Sequence, residues 1–283
     1  MIRLADLIKE SGKLFGLGAE RISSKEMQEV FEEIKKTIGH YFADLQLTKS
    51  LPSKTSHGDV DIVALVNSSK PIIDIFRENF GKQVLNYSKN ANIHSILFHS
   101  KTINKNVHVD IIAVNNKDEF QSHLDYYSFN DLSAIIGIFS KKLNFKYSNK
   151  GFYKIVKDIK GNYHDILITK NLMDGLKILG YSDIPNKYNS IKSVDDIVDF
   201  VVDSPLFDSS YFTHEKMNQS DRKSEKSRPV IKYCNSEIIK RNIHRKLDDE
   251  DYFLKKLFPS YYDKVQQEIK KINTETYRKS KYN

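Results

Sequence analysis

The chain has 283 residues, 39% hydrophobic and 29% charged, with 45 Lys and Arg against 37 Asp and Glu for a formal charge of +8. That is enough for one large domain or two modest ones with ample core, and the positive balance suits a polyanionic partner. One cysteine, Cys234, excludes an internal disulfide and a cysteine zinc cage, and no apolar run approaches the roughly 20 residues of a membrane span.

Such cysteine usage suits a reducing, cytoplasmic compartment. The opening Met1-Ile2-Arg3-Leu4-Ala5-Asp6 carries an early acid and no signal-peptide core. Residues 1–20 are expected to form an amphipathic lead-in, with Leu4, Leu7, Ile8 and Leu14 available to pack. Ser23 followed by Glu26 has the spacing of a capping box, and Met27, Val30, Phe31 and Ile34 recur at helical intervals toward Gly39. Tyr41 to Leu47 is predicted as the first strand.

A polar loop follows, Thr48-Lys49-Ser50-Leu51-Pro52-Ser53-Lys54-Thr55-Ser56-His57-Gly58. Pro52 and Gly58 bar a continuous helix, while the hydroxyls and lysines suit phosphate. The loop feeds a strand from Asp59 to Val66. Residues alternate faces along a strand, so Asp59 and Asp61 point the same way, roughly 7 Å apart. Two carboxylates so placed repel each other unless a cation intervenes, and oxygen donors suit Mg²⁺.

Pro71 opens a predicted helix toward Phe80. Strands are predicted at Val84–Tyr87 and Ile93–His99, and after a polar turn at Thr102–Asn106 comes Val107-His108-Val109-Asp110-Ile111-Ile112-Ala113-Val114. An ionised acid buried among such residues is costly, so Asp110 calls for a cation, a donor or an open cleft.

The series Gly58-Asp59-Val60-Asp61-Ile62 followed by Val109-Asp110-Ile111 resembles the DNA polymerase β-like nucleotidyltransferase superfamily, over roughly residues 25–115. That family's pattern is a Gly-Ser loop, a hydrophobic-flanked Asp-x-Asp, then a third Asp. Where the family has Gly-Ser, this chain has Lys49-Ser50.

The resemblance implies an α+β fold. A nucleotidyltransferase palm, a mixed sheet with flanking helices, would occupy residues 1–120, and a mainly helical acceptor-binding domain with a β-hairpin would occupy 121–283. It also implies two-metal nucleotidyl transfer. Asp59, Asp61 and Asp110 would be the catalytic ligands of Mg²⁺ (or Mn²⁺), and Lys49, Ser50 and Lys54 would position the NTP phosphates. His57 and His108 lie near the acids in sequence and are expected to support them rather than to bind metal.

In the second half, residues 117–126 and a stretch from Asn130 through Leu143 are predicted helices. Phe152–Val156 and Tyr163–Ile168 form a predicted hairpin around Lys160-Gly161-Asn162. Asn171 and Ser193 are candidate helix caps, and Tyr261 to Asn283 is an expected final helix fraying after Thr276. Between 213 and 246 lies the densest basic stretch, with Lys216, Arg222, Lys223, Lys226, Arg228, Lys232, Lys240, Arg241, Arg245 and Lys246. Such a cluster suits a nucleic-acid backbone. Template-independent addition of nucleotides to an RNA 3′ end is the expected activity. A template-directed DNA repair polymerase, nucleotide transfer to a small molecule or protein, and a non-catalytic nucleic-acid-binding module with a decayed site are the alternatives.

Overall fold

The computed structural model describes residues 13–129, 131–245 and 249–281. They divide into two compact units, one comprising residues 13–129 with Arg228–Val230, the other the remainder. The features expected at residues 1–12, at Asn130, at Lys246 and at the last two residues lie outside the described residues.

Helix α1, Ser24–Ile38, opens the first unit after a short 3-10 segment at Lys13–Gly18. Its start is the predicted capping box: Glu26 N–H donates to Ser23 Oγ at 3.2 Å, and Ser23 N–H donates to Glu26 Oε2 at 2.7 Å. Met27, Val30, Phe31, Ile34 and Ile38 form its buried stripe. Gly39 ends the helix in ordinary right-handed geometry, leading into one 3-10 turn.

The strands are β1 (Phe42–Leu47), β2 (Val60–Val66), β3 (Val84–Asn90), β4 (Ile93–Ser100) and β5 (Lys105–Val114). Their order is β1-β2-β5-β4-β3, with β2 and β5 parallel and every other pair antiparallel. Helices α2 (Ile72–Phe80) and α3 (Lys117–Tyr127) complete this unit.

The period of two along the strands divides the sheet into two faces. Val60, Ile62, Ala64, Val109 and Ile111 share a core with residues of α1 and α2. On the opposite face, Val63, Leu65, Ile112 and Val114 pack with Phe120 and Leu124 of α3. Asp59, Asp61, His108 and Asp110 have the parity of this second face, but they precede its apolar part. Here the sequence turns from polar to apolar within single strands.

The second unit begins with α4 (Leu132–Lys142), preceded by Asp131. The expected hairpin proves to be a three-stranded antiparallel sheet, because β6 (Phe145–Ser148) precedes β7 (Gly151–Lys157) and β8 (Tyr163–Thr169). Phe145 of the unforeseen strand stacks on Phe152 with ring centroids 5.1 Å apart, which gives so short a strand its anchor. Helices α5 (Leu172–Ile178), α6 (Ile184–Asn189), α7 (Val194–Val202), α8 (Gln219–Ser227), α9 (Pro229–Arg241), α10 (Tyr252–Leu257) and α11 (Pro259–Lys281) follow. Asn171 and Ser193 do cap α5 and α7. The expected final helix is α11, which continues past Thr276 to Lys281. Leu14 is exposed rather than packed. No described helix is long and apolar enough to cross a membrane.

Candidate active site

The parallel pairing of β2 with β5 sets Asp61 opposite Asp110, one row beyond Val60 opposite Val109. Adjacent strands lie about 4.8 Å apart, so these two acids are nearest neighbours across the sheet. Asp59 immediately precedes β2 and shares their face. On the other side, β4 sets Ser95 opposite Asp110. One row of the sheet therefore runs Asp61, Asp110, Ser95.

Asp110 is held by two donors. Ser95 Oγ donates to its Oδ1 at 2.5 Å, and His108 Nε2 lies 2.9 Å from the same oxygen. A ring nitrogen facing a carboxylate this closely carries the proton. Burial works against a charge on His108, but the bond to Asp110 and the charges of Asp110 and Asp59 outweigh it and raise its pKa. The Phe15 ring packs edge-on against the imidazole at 5.0 Å, and its buried Nδ1 has no hydrogen-bond partner among the described residues.

Asp61 is electrostatically stressed. Its pKa is raised well above the usual carboxylate range, first by burial, then by Asp59 and Asp110, with Lys54 opposing. No side-chain hydrogen bond reaches its carboxylate among the described residues. Lys54 itself is buried, as expected of a cation drawn to this cluster. As placed, no three or more His, Cys, Asp or Glu side chains among the described residues are grouped to hold one metal ion. The donor chemistry is nevertheless that of a hard cation. The row offers carboxylate oxygens, Asp110 keeps Oδ2 clear of both its donors, and the repulsion on Asp61 is what a divalent cation relieves.

The upstream loop is held at both ends. Arg21 donates to Ser56 Oγ at 2.9 Å and to Ser56 O at 2.8 Å, and Ile22 and His57 exchange backbone hydrogen bonds. Ser24 Oγ donates to Lys54 O at 3.0 Å and lies 2.9 Å from His57 Nε2. Burial, then the charges of Lys54 and Arg21, lower the His57 pKa to about 4, so this histidine is neutral and structural at physiological pH. At the other end, Lys49 N–H donates to Ser128 Oγ at 3.1 Å and Lys49 O accepts from Phe129 N–H at 2.7 Å. The Lys49 charge acts on Asp125 of α3. The structure thus brings Asp59, Asp110 and Lys54 into electrostatic reach of Asp61, and the Lys49 backbone is fastened to the end of α3. Ser50 is partly buried and makes no side-chain hydrogen bond among the described residues.

Ser95 is the site residue that sequence reasoning missed, because only the β4–β5 register brings it to Asp110. His108 had a local signal, being two residues from Asp110 on the same strand face.

The basic stretch is heterogeneous. Arg245 donates to the carbonyls of Val202, Asp203 and Ser204 at 2.7–3.1 Å, and Arg241 bridges Asp199 at 2.5 Å, so both brace the fold. Arg222, Lys223 and Lys226 are exposed on α8. Cys234 is buried, which pushes its thiol pKa up and leaves it no nucleophile. No family model matches the sequence, and neither does any curated protein.

Proposed function

We propose that the first unit is a nucleotidyltransferase palm of the polymerase β-like type, and that the chain transfers a nucleotide from an NTP to the 3′ hydroxyl of single-stranded RNA without a template. The observation that carries this reading is the register of Asp61 against Asp110 on parallel strands, with Asp59 two residues upstream. Two acids within electrostatic reach of a third, buried one at one end of a sheet, at a cost visible in the raised Asp61 pKa, are the expense of a site rather than of a core. The overall charge of +8 and the exposed cations of α8 favour a nucleic-acid acceptor over a small molecule.

Asp59, Asp61 and Asp110 would hold Mg²⁺ or Mn²⁺. Such ions, when bound, lower the pKa of the acceptor hydroxyl and neutralise charge on the departing pyrophosphate. The protein's own part is positioning and electrostatics. The acceptor oxygen bonds to the α-phosphorus as the bond to the bridging oxygen breaks and pyrophosphate leaves. Ser95 and His108 fix Asp110 by one oxygen, which leaves Oδ2 to take the acceptor proton. Lys54 balances the negative charge of the cluster, and Lys49 and Ser50 lie on the loop that would receive the triphosphate.

The test is incubation with each labelled NTP or dNTP, Mg²⁺ or Mn²⁺, and either an RNA primer or gapped DNA. The expected product is a ladder on RNA without template. Template-dependent addition to the gap would instead make it a repair polymerase. Salt-sensitive RNA binding with no product under any condition would make it a binding module whose catalytic site has decayed.

A further inference from the structure

The second unit carries a surface that the transfer chemistry does not use. On the outward face of its three-stranded sheet, the register sets Lys146 opposite Tyr153, Tyr153 opposite Leu167, and Lys157 opposite Tyr163. Each tyrosine has a lysine over its ring: Lys146 stands 5.4 Å from the Tyr153 centroid, and Lys157 stands 5.6 Å from that of Tyr163. Tyr163 is 72% exposed, the most open of the large hydrophobic side chains among the described residues. Two tyrosines on one outward face, each with a lysine over its ring, make a patch rather than a single exposed side chain.

The charges around it are one-sided. Asp165 pairs with Lys146 at 2.5 Å, and Asp158 is buried and saturated by bonds from its own loop and from Thr276. Lys150, Lys157 and Lys160 are exposed and pair with no carboxylate among the described residues. A groove of about 600 Å³ lies along β8 beside α11, lined by Tyr163, Leu167, Lys264 and Ile272, with Asp165 and Glu268 as its acids.

We infer that this face binds single-stranded RNA, stacking bases on Tyr153 and Tyr163 while Lys150, Lys157 and Lys160 meet the phosphates. The two tyrosines are separated by four residues along the strand direction, roughly 13 Å, which suits separate bases of one strand. Stacking on aromatic rings beside unpaired cations is how proteins hold single strands without reading sequence, and a duplex hides the base faces that such rings need. The inference deepens the proposed function by naming an acceptor surface, and rests on it only in the choice of RNA.

The experiment is fluorescence anisotropy of the full chain with a labelled oligouridylate, without NTP or divalent ion, so that binding is measured apart from transfer. Tyr163→Ala and Tyr153→Ala are each expected to weaken binding roughly five- to hundred-fold, and Tyr163→Phe to retain it. Lys157→Gln should reduce the slope of log affinity against log salt by about 0.7. Unaltered binding by Tyr163→Ala with an unchanged thermal melt would overturn the inference. So would an RNA duplex, or polyglutamate, binding as tightly as the single strand, because charge alone would then account for it. Tyrosine-dependent binding without transfer would leave this surface standing and remove the transferase reading. Transfer with tyrosine-independent binding would do the reverse.

Discussion

Asp61 and Asp110 face each other across two parallel strands; burial, then the charges of Asp59 and Asp110, lift the Asp61 pKa, and among the described residues Lys54 opposes them. A site so arranged is destabilised while empty of cations. Asp61→Asn should therefore raise the melting temperature of the metal-free chain. Added Mg²⁺ should stabilise the parent, by about 2.7 kcal/mol at a hundredfold excess over its Kd, and should stabilise the variant much less. Calorimetry of both proteins with and without Mg²⁺ checks this.

Ser95 Oγ and His108 Nε2 meet on one oxygen of Asp110, so the carboxylate's orientation depends on both. Ser95→Ala should lower the rate of transfer roughly ten- to hundredfold by loosening Asp110, with little change in KM for the nucleotide. Steady-state kinetics that moved KM alone would assign Ser95 to substrate binding instead.

Asp125, on α3 beneath the Lys49 loop, has its pKa raised to about 6 by burial, against the opposing effects of Gln121 and Lys49. A carboxyl whose pKa is higher folded than unfolded binds more protons in the folded state. Stability consequently declines as pH rises from about 4 through about 6. At about 1.4 kcal/mol per unit, the loss from this group is on the order of 3 kcal/mol. Asp125→Asn should flatten the decline, as urea unfolding at several pH values between these limits and pH 8 would show.

Gly175 of α5 lies against Phe152 of β7, where an added Cβ would come within 2.7 Å of the ring. Gly175→Ala should destabilise the second unit by about 1–3 kcal/mol despite alanine's better helix propensity. Thermal or urea unfolding measures the sign, which helix propensity alone would reverse.

The local features were legible in the sequence. Ser23 with Glu26, the apolar run of Val60–Val66, and the caps at Asn171 and Ser193 are each settled within a few residues of chain. The alternation of Asp59 with Asp61, and of His108 with Asp110, also announced a polar patch on otherwise apolar strands. What lay beyond reach was pairing. That β2 and β5 are neighbours, and that β4 brings Ser95 alongside, are long-range facts set by the packing of the whole sheet. Strand β6 was missed because four residues, Phe145-Lys146-Tyr147-Ser148, carry too short an alternation to stand out before Phe152 supplies its packing partner. Helix α11, Pro259–Lys281, lies close to the expected Tyr261–Asn283, since polarity alone does not end a helix.

The central claim is that the acids of β2 and β5 perform nucleotidyl transfer. Incorporation of labelled nucleotide into an RNA primer, measured for the parent, Asp61→Asn and Asp110→Asn with Mg²⁺ or Mn²⁺, tests it most directly. The account predicts primer extension by the parent and incorporation at background level in both variants, each still folded by its thermal melt. Extension by Asp61→Asn and Asp110→Asn at the parent's rate would contradict it.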